Sequence, residues 1–569
     1  MIFKSPYAPL PDLPNVNYYD AIFGRPEVAQ WPDYTVYIDG ITGEKWGFKK
    51  YRQRIDDAAA ALAGPLGIKK ENGEVVGVLS ENCMDYPTIV MSLLKIAVPV
   101  VLFPAFSTSS ETTALIKLSE ITRLFVSPRL LPIALSAAKE VGLPENKIYI
   151  LRGRAGRRVT FSSLVDRAKS NNLKVDSHPV QTDTLAYLVF SSGTSGLPKG
   201  VMLSHRNLCY SALQPAMMLM EIENVAPQPS PKTPEGIPVT IAFSPMYHAM
   251  GLHLFITRLP LSPATCIVLP KWEVNKVLDI IPKYKVSTVQ FVPAQVLQLL
   301  NSPRFAKADL SSIEGAGAGA AYLPVEFRDR LVQRLKLPWF LEGYGMSECT
   351  VSAIAATFPG SFGGKLEYVS GMTGVLLAGM EARIVREDGT DADFGEPGEL
   401  HLRGGNVGLG YWKNEKATRE TFLPGGWLCT GDRFKADEAG RFFYVDRTKD
   451  TLKISGVQVS PSEIESTLVE HPGGLITDAA VAGVAGTRMS DEKVPKAWIV
   501  LSAKGRKMGK KAVVKELDAW VKEKLSSPKW IRGGYEILRE IPKSPTGKVL
   551  RRVLQESGRE RSIGVQTKL

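Results

Sequence analysis

The chain has 569 residues, more than the roughly 250 to 300 at which one hydrophobic core stops growing, so at least two domains are expected. A hydrophobic share of 44% with 22% charged residues excludes a disordered or membrane-embedded chain as a whole. The net charge is +12, and residues 450–569 hold +8 of it (22 Lys and Arg against 14 Asp and Glu), which suits either a solvated basic face or a polyanionic ligand.

Met1–Pro14 carries one lysine, four prolines and no continuous apolar stretch, so it does not read as a secretory signal, and an intracellular protein is expected. Tyr51–Leu62 has helical periodicity, and Glu74–Ser80 reads as a buried strand. The longest apolar stretch, Val90–Phe103, is broken by Lys95 and Pro99, short of the roughly 20 clean residues of a spanning helix. Further strand-like runs follow at Leu185–Phe190, Thr240–Phe243 and Thr288–Val292, alternating with helical patterns as parallel α/β units do. Residues 222–238, with five prolines, read as a surface loop. From Glu381 to Val445 the texture changes to short strands and close turns, as in an antiparallel or barrel-like β-unit, and a basic α+β tail ends the chain. The fold class is therefore α/β: a large N-terminal domain of helix-covered sheets with a barrel-like subdomain, then a small α+β domain.

The five cysteines (83, 209, 266, 349 and 429) are odd in number, far apart and without CxxC, which argues against a disulfide framework or zinc cage. His248 and His253 lack HExxH spacing and have no cysteine near them in sequence, so no metal site is expected from them. No zinc-finger spacing, RRM signature or basic heptad region appears, which sets nucleic acid aside.

Ser191-Ser-Gly-Thr-Ser-Gly-Leu-Pro-Lys-Gly200 follows directly on the apolar run at 185–190. It is not a P-loop: Pro198 precedes Lys199 and Gly200 follows it, so the GxxxxGK[ST] frame is missing. Ser191, Ser192, Thr194 and Ser195 nevertheless offer donors, Gly193 and Gly196 let the backbone turn tightly, and Lys199 tilts the loop toward an anion.

The full string Tyr187–Asn207 resembles the signature of the adenylate-forming superfamily: acyl-CoA synthetases, luciferases and peptide-synthetase adenylation domains. More motifs follow in that superfamily's order: Gly319-Ala320-Ala321, Gly343-Tyr344-Gly345-Met346-Ser347-Glu348, Gly398-Glu-Leu, Arg403-Gly, Gly410-Tyr411, Trp427–Asp432, Asp446–Pro461 and Pro542–Lys548. The resemblance is nearest to 4-coumarate:CoA ligase-like enzymes. It implies an acid-thiol ligase that uses ATP, CoA and Mg²⁺ to turn a carboxylic acid first into acyl-AMP and then into a thioester. It also divides the chain into an adenylation domain (1–446), a hinge (447–449, pivoting at Lys449) and a mobile C-terminal domain (450–569).

By the same resemblance Ser191 to Gly196 and Lys199 hold the ATP phosphates, Gly319 to Ala321, Gly343 and Tyr344 the adenine side, and Ser347 the α-phosphate. Glu348 becomes the magnesium ligand, a role a hard carboxylate oxygen suits. Asp432 takes the ribose hydroxyls and Arg447 the ribose or phosphate, against the plainer alternative of a surface turn or ion pair. Lys548 is the catalytic lysine contacting carboxylate and phosphate. Lys453, Ser455 and Gly456 would line the pantetheine path.

The acid pocket implied by the resemblance uses Tyr247, His248, Met250, Gly251, Tyr322 and Gly345; His248 gates carboxylate and thiol, and Tyr247 and Tyr322 narrow an aryl-sized slot. Apart from Glu348 these segments are uncharged, which favours a hydrophobic aryl or medium-chain acid. Gly405 stands where proline is usual, Gly408 where methionine is common, and Pro104 where asparagine is frequent, so no known specificity transfers intact. Thr567-Lys568-Leu569 is similar to the SKL import address, leaving peroxisome or cytosol as the compartment, with an import receptor as partner. The alternatives are an enzyme loading a carrier protein, for which no fused carrier follows Leu569, and a non-catalytic nucleotide-binding relative.

Overall fold

A computed structural model describes residues 1–191, 198–225, 231–337, 340–447, 450, 452–454, 457–486, 493–544, 547–551 and 553–556. Two large sheets form the body. The first has seven strands in the order Gly410–Tyr411, Lys199–Ser204, Leu185–Ser191, Val100–Phe103, Val76–Leu79, Arg123–Val126 and Ile148–Ile150. Its strands from Leu185–Ser191 to Ile148–Ile150 run parallel, and Lys199–Ser204 returns antiparallel along Leu185–Ser191. The second has nine strands, with Thr288–Phe291, Val239–Ala242 and Gly315–Ala318 among its parallel members. The apolar runs expected as strands therefore fall in parallel sheets, where both faces are covered and alternation disappears.

Between these sheets lie the helices Phe48–Ala63 and Asp85–Lys95. The first buries Ala58, Ala59, Ala60 and Ala61 almost completely; side chains this small let its neighbours approach closely. Asp85 is fully buried but compensated, with Arg54 at 2.7 Å and Arg152 at 3.2 Å.

The region expected as antiparallel β is a six-stranded antiparallel sheet whose central members are Met380–Val385, Gly398–Gly404 and Trp427–Ala436, with Phe442–Arg447 paired to the last. The C-terminal α+β unit holds the hairpin Leu452–Ile454 with Val457–Val459 and the strands Ile476–Ala485, Lys493–Leu501 and Tyr535–Leu538. Helices Pro461–Val469 and Lys510–Lys524 pack in the same core through Ile464, Leu468, Val513, Leu517 and Val521.

One element differs from expectation. Helix His205–Val225 runs four residues into the stretch expected as a loop, because Ile222 is buried and the prolines begin only after Val225. Among the described residues no helix is long and apolar enough to cross a membrane.

Candidate active site

Lys199 begins a strand and lies opposite Ser191 in the antiparallel register of Leu185–Ser191 with Lys199–Ser204. Ser192 to Leu197 lie outside the described residues, as do Lys449, Ser455 and Gly456, and nothing is described of the Lys453 side chain. The Lys199 ammonium sits 4.5 Å from the centre of the Tyr411 ring. The Tyr411 hydroxyl donates to Glu348 Oε1 at 2.8 Å, and Glu348 is buried. A cation, an aromatic ring and a carboxylate thus stand in sequence at the end of this strand pair, drawn from strands and a turn more than 60 residues apart.

The Glu348 turn is held by residues that the motif reading missed. Thr350 (φ 52°) and Val351 (φ 90°) adopt left-handed conformations, unusual for β-branched side chains, so the turn needs bracing from outside. Asn406, almost fully buried, provides it: its amide donates to Cys349 O at 2.8 Å and Ser352 O at 2.9 Å. Asn207 donates in turn to Gly405 O at 2.9 Å and Val407 O at 2.8 Å, tying the Asn406 loop to the first turn of helix His205–Val225. Gly345 is forced, since a Cβ there would lie 1.7 Å from Val351 O. Gly405 is explained as well: a Cβ would meet the Tyr210 ring at 2.5 Å, so an aromatic ring fills the space a larger residue would need. Buried asparagines carry no motif of their own: Asn207 ends the string Tyr187–Asn207 without a role that spacing reveals, and no motif marked Asn406.

The nucleotide-side residues gather across the antiparallel sheet. Asp432 and Arg447 are cross-strand partners, with Arg447 Nε 3.0 Å from Asp432 Oδ1, and the Tyr344 hydroxyl donates to Oδ2 at 2.7 Å. Asp432 is 2% exposed, and burial raises its carboxyl even with Arg447 beside it. Oδ1 meets Arg447 as an ion pair, and a carboxylate oxygen so paired keeps a lone pair to accept from a ligand hydroxyl. Lys548 belongs to this group: burial and the nearby Arg447 push its ammonium down to about 8, while Asp450 and Asp432 oppose that shift.

Lys548 is presented by a tight turn in which Ser544 N donates to Lys548 O at 2.8 Å and Gly547 takes φ 82°. A Cβ on Gly547 would lie 3.2 Å from Ala294 Cβ and 3.5 Å from Val292 Cγ2, so this turn sits against the start of helix Pro293–Leu300. Behind it Arg551, half-buried, meets Asp450 at 3.0 Å and Glu465 at 2.6 Å, fastening the Lys548 hairpin to the chain just beyond Arg447.

On the acid side, Asn82 organises the turn bearing His248: Met246 N donates to Asn82 Oδ1 at 2.8 Å, and Asn82 Nδ2 donates to Ser244 O at 3.0 Å. Gly251 is required here, since its Cβ would lie 2.1 Å from Pro245 O. His248 caps a short helix, accepting at Nδ1 from Met250 N at 3.4 Å, and desolvation pushes its imidazole down to about 4. The ring is therefore neutral near pH 7, with its proton assigned to Nε2. Tyr247 faces Phe106, whose ring centre is 6.2 Å away. A Cβ on Gly319 would lie 3.9 Å from Met250 Sδ and 3.7 Å from Gly343 O, so the segments expected on the adenine and acid sides come together there. Ala320 takes φ 69° beside it, and Ser347 opens the turn carrying Glu348.

Tyr322, expected at the acid slot, has Tyr444 as its aromatic partner. It stacks on Tyr444 at 6.0 Å and is 42% exposed; Tyr444 meets Phe434, which meets Tyr344 edge-on at 4.8 Å. Through Tyr444 and Phe434 this ring joins the aromatic cluster of Tyr344.

Comparison with known proteins gives the same outline. Residues 25–412 match the family model for AMP-binding enzymes, and residues 463–548 match that for the AMP-binding enzyme C-terminal domain. "Probable 4-coumarate--CoA ligase 1" of Dictyostelium discoideum is 32% identical over 550 residues, 92% of each chain. "Peroxisomal OPC-8:0-CoA ligase 1" of Arabidopsis thaliana is 32% identical over 557 residues, covering 96% of this chain and 94% of its own. The crystal structure of the anthranilate CoA ligase AuaEII with anthranoyl-AMP has the same fold, with a TM-score of 0.82 at 24% identity over 97% of this chain and 99% of that one. With two family models matched in order and full-length relatives above 30% identity, the chain belongs to the AMP-binding enzyme family.

Proposed function

We propose that this chain is an ATP-dependent acid:CoA ligase: a carboxylate oxygen attacks the α-phosphorus of ATP, the bond to the pyrophosphate oxygen breaks, and acyl-AMP forms. The CoA sulfur then attacks the acyl carbon, AMP leaves with the C–O electron pair, and the thiol proton passes to solvent. The observation that carries the reading is the convergence of Lys548, Arg447, Asp432 and Tyr344, contributed by the antiparallel sheet, the C-terminal turn and the nine-stranded sheet. Relatives named as CoA ligases along nearly their whole length support it.

In this reading Asp432 accepts from ribose hydroxyls, Lys548 and Arg447 neutralise charge growing around the α-phosphate, and Lys199 meets the outer phosphates. Tyr411 aims the Glu348 carboxylate, a hard oxygen ligand in keeping with Mg²⁺, which takes one or two carboxylates plus substrate phosphates. That ion would supply further charge neutralisation at the phosphates. Neutral His248 donates from Nε2 toward the acid carboxylate. The described residues flanking it, Tyr247, Met250 and Gly251, are uncharged, so the acid is hydrophobic, aryl or medium-chain. The hairpin at 452–459 would border the CoA arm. Import through Thr567–Leu569, outside the described residues, would place the reaction in peroxisomes, as the name of the Arabidopsis relative says of that protein.

The test is a panel of aryl, arylalkanoic and medium- to long-chain acids given with ATP, Mg²⁺ and CoA. Equal amounts of acyl-CoA and AMP are expected from a hydrophobic subset. ADP in place of AMP, or AMP without thioester, would contradict the proposal.

A further inference from the structure

Glu399, His401 and Cys429 come together on the antiparallel sheet, on the face away from the nucleotide-side group. Glu399 and His401 are two apart on strand Gly398–Gly404 and so share a face, and His401 is the cross-strand partner of Cys429. Their neighbours Leu400, Leu402, Leu428, Thr430 and Asp432 are all buried on the opposite face. A register shift between Glu399 and His401 swings the Glu399 carboxylate toward Cys429: its Oε1 accepts from Cys429 Sγ at 3.0 Å and from Gly431 N at 3.0 Å. One ligand atom from each residue lies within 4.8 Å of the other two, and all three residues are half-buried.

We propose that these residues form a binding site for a borderline or soft divalent cation of the zinc class, separate from the magnesium role given to Glu348. Thiolate, imidazole and carboxylate form a three-ligand set with a fourth position for water. In a tetrahedral zinc site such donor atoms stand about 3.3 to 3.6 Å apart, so side-chain rotations alone bring these three into range. The surroundings permit it. Arg383, the cross-strand neighbour of His401, is engaged by Asp391 at 2.8 Å, and Arg433, opposite Glu399, lies 3.7 Å from Asp446. Binding releases the Cys429 thiol proton to solvent and replaces the thiol–carboxylate hydrogen bond by two bonds to the ion. The site lies behind the strand bearing Asp432, so the bound ion touches neither nucleotide nor acid.

The full-length protein, stripped of metal and titrated with Co²⁺ in excess Mg²⁺, tests this. One equivalent of Co²⁺ is expected to give thiolate-to-metal charge-transfer absorption, removed by Zn²⁺. Cys429→Ser is expected to abolish the band, and His401→Ala to weaken binding at least about tenfold, with both variants keeping their far-ultraviolet circular dichroism. Absence of the band in the wild-type protein would overturn the proposal, as would a band of undiminished strength in Cys429→Ser.

Discussion

At the scale of single residues the account turns on charges whose burial is offset by a ligand. Lys548 must be an ammonium to neutralise the developing charge, and its ordinary value is pushed down to about 8. The cation is complete below that pH and is lost as pH rises through it. kcat/KM for adenylate formation, which reports the free enzyme, is expected to be flat up to about pH 7.5 and to fall toward tenfold per unit above about pH 8. Lys548→Ala is expected to lower acyl-AMP formation by two to three orders of magnitude, to lack this alkaline limb, and to spare thioester formation from supplied acyl-AMP. Equal loss in both half-reactions would remove Lys548 from the first step. Lys199, Glu348, Asp432, Arg447 and Lys548 could all be picked out in the sequence because each stands inside a dense motif. Asn406, Asn207 and Arg551 could not: they act through buried hydrogen bonds and ion pairs to distant segments, which no local spacing encodes.

Turns and strands set the precision of those residues. The Glu348 turn holds two β-branched residues at positive φ and depends on the two bonds from Asn406. Asn406→Ala leaves Cys349 O and Ser352 O unpaired; a loss of about 1 to 3 kcal/mol in unfolding free energy is expected, with a raised KM for ATP, checked by denaturant melts and initial rates. Unchanged stability would mean that the turn holds itself. Arg551→Ala is expected to lower adenylate formation tenfold or more while leaving thioester formation nearly intact, because the Lys548 hairpin loses its tie to Asp450 and Glu465. The strands Val76–Leu79, Leu185–Ser191, Val239–Ala242 and Thr288–Phe291 were legible as apolar runs, since parallel strands buried on both faces are continuous in the sequence; their order in the sheets was not. The end of helix His205–Val225 was not, because proline and polar content from 222 onward outweighed the single buried Ile222. The surroundings of Tyr322 were not legible for a related reason: an aromatic beside a pocket motif says nothing of which ring it meets, and here that ring is Tyr444.

For the whole molecule the essential relation is that the turn bearing Lys548 rests against Val292 and Ala294 of the large N-terminal body. Gly547 fits against Val292 and Ala294 with almost nothing to spare. Ala294→Phe is expected to crowd this contact and cut adenylate formation about tenfold or more without lowering thioester formation from acyl-AMP, read by separate half-reaction assays. The most direct measurement of the central claim is exchange of labelled pyrophosphate into ATP by the purified full-length protein, with Mg²⁺, a hydrophobic acid panel and no CoA. Acid-dependent exchange with at least one acid, lost in Lys548→Ala, is the predicted result; no exchange with any acid would contradict the account.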